Sequence, residues 1–415
     1  MSDEKIIDVA YGEGWDASRA AVLGPIGTAE AAGRDAAGEP YAVVLRPRDG
    51  AEVIVAHLHH ARDYIGLWLY DTRGRRCVEV DLRRLAQDRL FLLYRRVWVY
   101  ENDEAPEFAP DAARVTLHLR PDGKGRQIVE PKGDGGGSRH TIADLPEAQR
   151  WFSPPAFGQW LRLLPALCIE GAADHELRES ADQPDDERAE PNWHTPEGLR
   201  PRHLDELFTA GARFSDRDEV YTVREPTAAG TLRLPSGRLV ARDPTYDTCE
   251  QDTGFTVTVP PGDYPVQIAS AGYDTEFWGK SMTIDEDTAV RILVSDRPTV
   301  GWEPALLDGQ DTRLLREGEF YGFGVDSGTG AFVDAGTAGE LGRRYGEGMA
   351  NGTLELATDE NGVHILEDPA TGTNLIAYPS GRGDGSYPVW IGRDADGAVT
   401  CFVADMLILN DAELL

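Results

Sequence analysis

The chain reads as mainly β: two antiparallel β domains, meander or sandwich-like, with few short helices, joined by an acidic linker. Three observations lead there. Short apolar runs of strand length recur along the chain, Asp-Gly dipeptides and other Gly- and Pro-containing turns punctuate them, and helical periodicity is scarce. The most organised stretch is Ser380 to Asp405, where Asp384-Gly385 and Asp396-Gly397 accept positive φ at turn centres. Between them Tyr387, Val389 and Ile391 alternate with Pro388, Trp390 and Gly392, and an apolar run from Val399 to Leu409 follows. Strand, turn, strand is the reading, with the second strand largely buried and Pro388 near a strand start or an edge.

Taken in order, residues 1–40 are rich in Ala and Gly and read as a loosely packed lead-in with a short helix over Thr28 to Ala37. An N-terminal β-meander domain is expected over residues 41–169. Its strands fall at Ala42 to Leu45, Val53 to His59, Ile65 to Tyr70, Cys77 to Val80, Leu90 to Tyr100 and Val115 to Leu119. Turns are expected at Arg48-Asp49-Gly50, Thr72-Arg73-Gly74 and Pro121-Asp122-Gly123. Only Leu82 to Gln87 and Phe157 to Leu164 look helical in this part.

Residues 170–220 read as an acidic linker with a short helix within Asn192 to Phe208, because the acid-rich stretch Glu170 to Glu190 buries too little to offset its ordering entropy. A C-terminal β domain is expected over residues 221–415. In it Leu232 to Val240 reads as a hairpin around Pro235-Ser236-Gly237, and Phe255 to Val259 as a strand. The turn at Pro261-Gly262 delivers Tyr264-Pro265-Val266 into another strand. Ala338 to Gly346 is the helix candidate, and Leu354 to Leu356, Val363 to Leu366 after Asn361-Gly362, and Leu375 to Tyr378 are further strands.

A chain of 415 residues supports two domains or three, and 41% hydrophobic residues suffice for their cores. No apolar run approaches the roughly 20 residues of a membrane helix, so no membrane association is expected. The opening Met1 to Asp8 has neither the basic nor the apolar region of a secretory signal, and the expected location is cytoplasmic. Cys77, Cys168, Cys249 and Cys401 lie far apart, as befits reduced thiols. A net charge of −31 repels phosphate backbones, which argues against nucleic acid and permits a basic protein partner. Nothing in the sequence specifies an oligomeric state.

Five phrases in the second half occur in a recognisable order: Leu234-Pro235-Ser236-Gly237, Asp243-Pro244, Pro261-Gly262-x-Tyr264-Pro265-Val266, Val325-Asp326-Ser327-Gly328-Thr329-Gly330-x-Phe332-x-Asp334, and Gly381-x-Gly383-Asp384-Gly385-x-Tyr387-Pro388. From Gly230 to Leu409 the chain thereby resembles the bacterial domain of unknown function four-two-four-one family. The resemblance implies no activity. In that pattern the closing strand ends Asp-Phe, where this chain has Asp405-Met406.

Candidate chemistry sits in those phrases. Asp243, Asp326, Asp334, Asp384 and Asp405, if they converge, could ligate a divalent cation such as Ca²⁺ or Mg²⁺ or act as paired acid and base; otherwise they cap turns. His57 and His59, with His60 beside them, have a strand spacing that metals accept. Trp151 and Trp160, with Phe152 and Phe157, form an aromatic corner that serves either a partner surface or the first core. Gly279-Lys280-Ser281 ends like a phosphate loop, but Asp274 stands where its first glycine belongs.

No nucleophile elbow or zinc-protease motif is present. The expected function is therefore a protein–protein interaction module and not an enzyme, in its sharper form an immunity-type protein that binds a basic toxin or effector. The alternatives are a metal-assisted hydrolase using the aspartates, and a carbohydrate-binding β-sandwich using Trp278, Trp302 or Trp390.

Overall fold

The computed structural model describes residues 5–48, 50, 52–169, 175–180, 189–217, 219–246, 250–353, 357–358 and 362–415. The protein is mostly β, with 46% of residues in strands and 13% helical. It divides into two compact units, residues 1–196 and 197–415.

In the first unit the elements are β1 (Ile6–Gly12), β2 (Gly14–Asp16), β3 (Ala21–Leu23), α1 (Thr28–Ala37), β4 (Tyr41–Pro47), β5 (Val53–His59), β6 (Tyr64–Tyr70), β7 (Arg76–Ala86), β8 (Arg89–Val99), β9 (Ala113–Leu119), β10 (Gly125–Glu130), β11 (Ser138–Ile142), α2 (Glu147–Arg150), β12 (Trp151–Phe152) and β13 (Glu176–Glu179). One sheet runs β11-β10-β9-β8-β7-β6-β5-β4-β1-β13, with β12 beside β8. From β4 to β11 it is the expected meander, each strand pairing antiparallel with the next. The pair β1 and β13 is parallel. Helix α1 has the expected bounds and stops at Gly38, whose φ of 78° suits a residue without Cβ.

Four expectations change here. Residues 5–40 are not a loose lead-in: β1 is an interior strand with Ile6, Ile7, Val9, Ala10 and Tyr11 buried, because its short apolar run finds partners on both edges. Leu82 to Gln87 is not helical. Its first five residues extend β7 along β8, with Leu82 and Arg83 also paired to β6, and these ladders of hydrogen bonds outweigh a short run of helix-compatible residues. The helical turn expected at Phe157 to Leu164 lies at Trp160–Leu167 as a 3-10 helix containing Pro165, whose missing N–H cannot serve an α-helical ladder. Within the acidic stretch, β13 joins the first unit's sheet; residues 170–174 and 181–188, and the turn residue Asp49, lie outside the described residues.

The second unit contains β14 (Arg213–Asp216), β15 (Glu219–Val223), β16 (Thr227–Leu234), β17 (Leu239–Arg242), β18 (Gly262–Phe277), β19 (Lys280–Leu293), β20 (Gly301–Pro304), β21 (Gly322–Val325), β22 (Thr329–Asp334), α3 (Ala338–Asn351), β23 (Ala357–Thr358), β24 (His364–Glu367), β25 (Asn374–Pro379), β26 (Gly385–Arg393), β27 (Val399–Asp405) and β28 (Glu413–Leu414). The larger sheet runs β20-β26-β27-β19-β18-β15-β14-β28, with β16 beside β18 and β21 beside β26; the smaller runs β17-β22-β25-β24-β23. Period-2 alternation decides how they pack. Leu239, Phe332, Ile376 and Tyr378 of the smaller sheet join the large core with Val266, Ile292, Ile391 and Phe402 of the larger one. Their neighbours Val240, Val333, Leu375 and Ala377 point the other way, onto Leu341 and Tyr345 of α3.

Two strand expectations fail in this unit. Leu232 to Val240 is no hairpin: the turn at Gly237 exists, but β16 pairs with β18 and β17 with β22, so the chain changes sheet there. Phe255 to Val259 makes only the single bridge between Arg238 and Thr258. The hairpin β26–β27 forms as expected, and Pro388 lies where β26 faces β21, one residue before its pairing with β27 begins. The strand expected at Leu354 to Leu356 and the turn residue Asn361 lie outside the described residues.

His57 is fully buried in the first unit. Its ring meets Trp68 edge-on at 4.1 Å and stacks on Trp193 at 4.6 Å, while neither ring nitrogen has a hydrogen-bond partner among the described residues. Burial, with the charge of Arg76, holds its pKa well below the ordinary 6.5. Below pH 6.5 the unfolded chain therefore binds a proton that the native state refuses, and stability declines as the pH is lowered. Thermal unfolding of His57→Phe should lose that acid-side decline; an unchanged decline below pH 6.5 would assign it to another group.

Candidate functional site

The five aspartates singled out in the sequence are ordered by turns, and a buried arginine organises the first of them. Arg242 is the last residue of β17 and is 0% exposed. Its Nε donates to the Asp243 carbonyl at 3.1 Å and Nη1 to the Ala338 carbonyl at 3.3 Å. Nη1 also donates to the Asp252 carboxylate, and Nη2 to the Tyr246 carbonyl. A buried guanidinium is tolerable only with such satisfaction, and here it ties β17, the loop after it and the start of α3 together.

Asp243, beside it, is 1% exposed. One oxygen accepts from Thr245 N–H and Oγ1 at 2.8 and 2.6 Å, and the other from the N–H groups of Asp326 and Ser327, both at 3.0 Å. Burial opposes ionisation, but these four bonds together leave the carboxyl below its ordinary range. Asp243 thus holds the β21–β22 turn against β17. Asp326 itself is exposed and accepts from the Tyr246 hydroxyl.

The remaining phrases attach to this cluster by the same kind of bond. Asp334, 1% exposed, accepts from Ser236 N–H and Oγ at 2.9 and 2.7 Å and from Gly336 N–H at 2.8 Å. Ser380 N–H donates to the Gly328 carbonyl at 3.1 Å. The Tyr387 hydroxyl donates toward the carbonyls of Ser380 and Gly383, 2.8 and 2.6 Å away. Val259 N–H reaches the Gly237 carbonyl at 2.8 Å. Four phrases, at Ser236, Asp243, Asp326 to Asp334 and Gly381 to Tyr387, are therefore joined side chain to backbone or backbone to backbone. The fifth adjoins Val259.

The aspartates do not share a cleft. Asp243 and Asp326 are brought together, Asp334 caps a separate turn, and Asp384 is exposed on the β25–β26 turn. Asp405 is 3% exposed at the end of β27, where it accepts from Leu407 N–H at 2.8 Å. Burial pushes its carboxyl up to about 6, against that bond and the nearby Trp390 indole. Asp287, which the sequence did not single out, is also pushed up to about 6 by burial and by Asp285. Among the described residues no three His, Cys, Asp or Glu side chains are grouped to hold a metal. The histidines separate as well: His59 bonds Thr195 at 2.7 Å and His60 bonds Asp35 at 2.9 Å.

The aromatic candidates divide by exposure. Trp160 and Trp390 are 1% and 2% exposed, so their rings are core and offer no face to a ligand. Trp151 is half-buried, with Phe91 at 5.1 Å and the Arg89 guanidinium 4.4 Å above its ring. Trp302 is half-buried on β20. Trp278 is 92% exposed. It sits with Gly279 between Phe277 and Lys280, the last paired residues of β18 and β19, so Gly279-Lys280-Ser281 is a hairpin end and no phosphate cradle. Cys77, Cys168 and Cys401 are free thiols, and Cys249 lies outside the described residues.

The family described as Protein of unknown function (DUF4241) matches residues 232–404, which takes in all five phrases; no family matches the first half. No curated protein and no solved structure matches the chain.

Two variants test the cluster. A Cβ on Gly342 of α3 would lie 2.8–2.9 Å from the Arg242 guanidinium. Gly342→Ala gains roughly 1 kcal/mol of helix propensity but crowds the buried guanidinium at a cost of about 1–3 kcal/mol, and denaturant unfolding should show a net loss of up to about 2 kcal/mol. For Asp405 the sign runs the other way with pH: a raised carboxyl pKa means the native state keeps a proton the unfolded chain releases, so stability falls from about pH 4 to about pH 6. Asp405→Asn should remove that loss, up to about 3 kcal/mol at pH 7, with little change at pH 4.

Proposed function

We propose that the protein is a protein-binding module whose second unit presents an acidic surface to a basic partner, in the manner of an immunity-type protein neutralising a basic toxin or effector. The observation that supports this reading is how the unit spends its cations. Residues 197–415 contain 38 Asp and Glu against 17 Lys and Arg, a net −21 of the chain's −31. The guanidiniums are largely engaged within the unit: Arg224 with Asp285, Arg297 with Asp394 and Asp396, Arg343 with Glu340 and Glu347, Arg382 with Glu286, Arg393 with Glu303. Exposed carboxylates such as Asp263, Glu276, Asp308, Asp384 and Glu413 then set the outward field.

Such a field raises association rates and discriminates against acidic partners, and it is screened over about 8 Å at physiological salt. The exposed Asp326 and Asp384 belong to this surface, and a divalent cation is not required for it. The expected result is a basic protein recovered from the native host by the full chain at low salt. With purified components the association rate should drop by about tenfold or more between 20 mM and 300 mM salt. Binding insensitive to salt, or recovery of acidic partners only, would defeat the reading.

A further inference from the structure

The hairpin β18–β19 outgrows its sheet. Strand β15 last pairs β18 at Gly272, β16 pairs it only up to Ile268, and β27 pairs β19 from Ala289 onward. Beyond the Gly272–Asp285 pair no third strand accompanies the ribbon among the described residues, and it continues to Phe277 and Lys280. Five residues at about 3.4 Å each make an arm of roughly 17 Å. A bare two-stranded ribbon is marginally stable in water, so such an arm needs a reason to be there.

Register gives the arm two unlike faces. Residues paired across a ribbon share a face, so Tyr273 with Ile284 and Thr275 with Met282 lie on one side. Asp274 with Thr283, Glu276 with Ser281 and Asp285 lie on the other. The first side is largely apolar: Tyr273 at its base packs on Tyr221 at 4.7 Å, and Met282 farther out is 45% exposed. The second is acidic.

The tip is stranger still. Trp278 has φ of 51° and Gly279 φ of 71°, two successive left-handed residues of the kind that make a tight hairpin turn. Asn or Asp followed by Gly is the usual occupant, because a bulky side chain is strained there. This turn instead holds a tryptophan with 92% of its surface in solvent. Folding is served neither by the backbone conformation nor by burial. A strained conformation held by a large exposed side chain points to a functional position.

We infer that this arm is the docking element of the second unit, its Trp278 tip and apolar face entering an apolar cleft on a partner protein while Asp274 and Glu276 meet basic residues at the cleft's rim. The choice of a protein with basic surroundings follows from the charge on the arm's other face, and it rests on the acidic-surface reading above. Tryptophan is the side chain most often found to dominate such contacts.

The test uses the full chain and needs two variants. With a photo-cross-linking amino acid in place of Lys280, irradiation in the native host should yield one adduct with a basic protein, competed by the wild-type chain and not by Trp278→Asn. That substitution restores the preferred turn dipeptide, so it should raise the melting temperature while weakening binding on the order of tenfold. Asp274→Asn with Glu276→Gln should weaken binding at low salt and little at high salt. If Trp278→Asn competes as well as wild type for a basic partner, the arm is not the docking element although the acidic-surface reading stands. If the adduct protein is acidic, both fall. An adduct to a second copy of the chain, binding of the arm to phosphatidylcholine vesicles, no adduct at all, or a lowered melting temperature for Trp278→Asn would each overturn the inference.

Discussion

The second unit depends on one buried cation. Arg242 has no contact with solvent, and a guanidinium in that setting must have its donors satisfied or it destabilises the fold by several kcal/mol. Its partners come from the Asp243–Asp252 loop and from the first residue of α3. The helix can lie against it only because Gly342 has no side chain to intrude. The smaller sheet is thus clamped on its helix by a polar contact inside an otherwise apolar layer, and Asp243, Tyr246 and Asp252 after β17 are tied to the same guanidinium.

From that loop the order propagates through carboxylates that receive backbone N–H groups. Asp243 fixes the β21–β22 turn, and Asp334 fixes the turn at which the chain passes from the larger sheet to the smaller. These are the residues that give the second half its family resemblance. Their common task is to satisfy backbone donors where strands stop, which any member of such a fold must do whatever it binds. The signature therefore marks a scaffold, and Asp326 and Asp384, exposed at its edge, are the two of the five aspartates that face outward.

The turn chemistry was legible in the sequence because it is local. Asp396-Gly397 and Pro121-Asp122-Gly123 each dictate a backbone conformation through their own two or three residues, and β26–β27 and β9–β10 formed around them. Pro235-Ser236-Gly237 also made its turn, yet the strands on either side went to different sheets, since partner choice depends on distant residues that a dipeptide does not encode. The same reason hid the end of β7, which looks helical when read alone and is extended because it pairs with β8 and, at Leu82 and Arg83, with β6. Of the candidate site, the aspartates were visible as a list of turn carboxylates, while Tyr246, Arg242 and Asp287 became relevant only through contacts with them or through burial.

Composition and local pattern by themselves determined a mainly β protein, strongly acidic, with α1 and the first meander at stated positions, because charge, periodicity and caps are properties of neighbours in sequence. Only the tertiary structure decided which tryptophans are core and which is presented to solvent. Trp160, Trp390 and Trp278 are alike as residues, and they differ because two lie under sheets while the third ends a ribbon that has outrun its neighbouring strands. Burial is set by what packs on a residue, and that is decided by the whole chain.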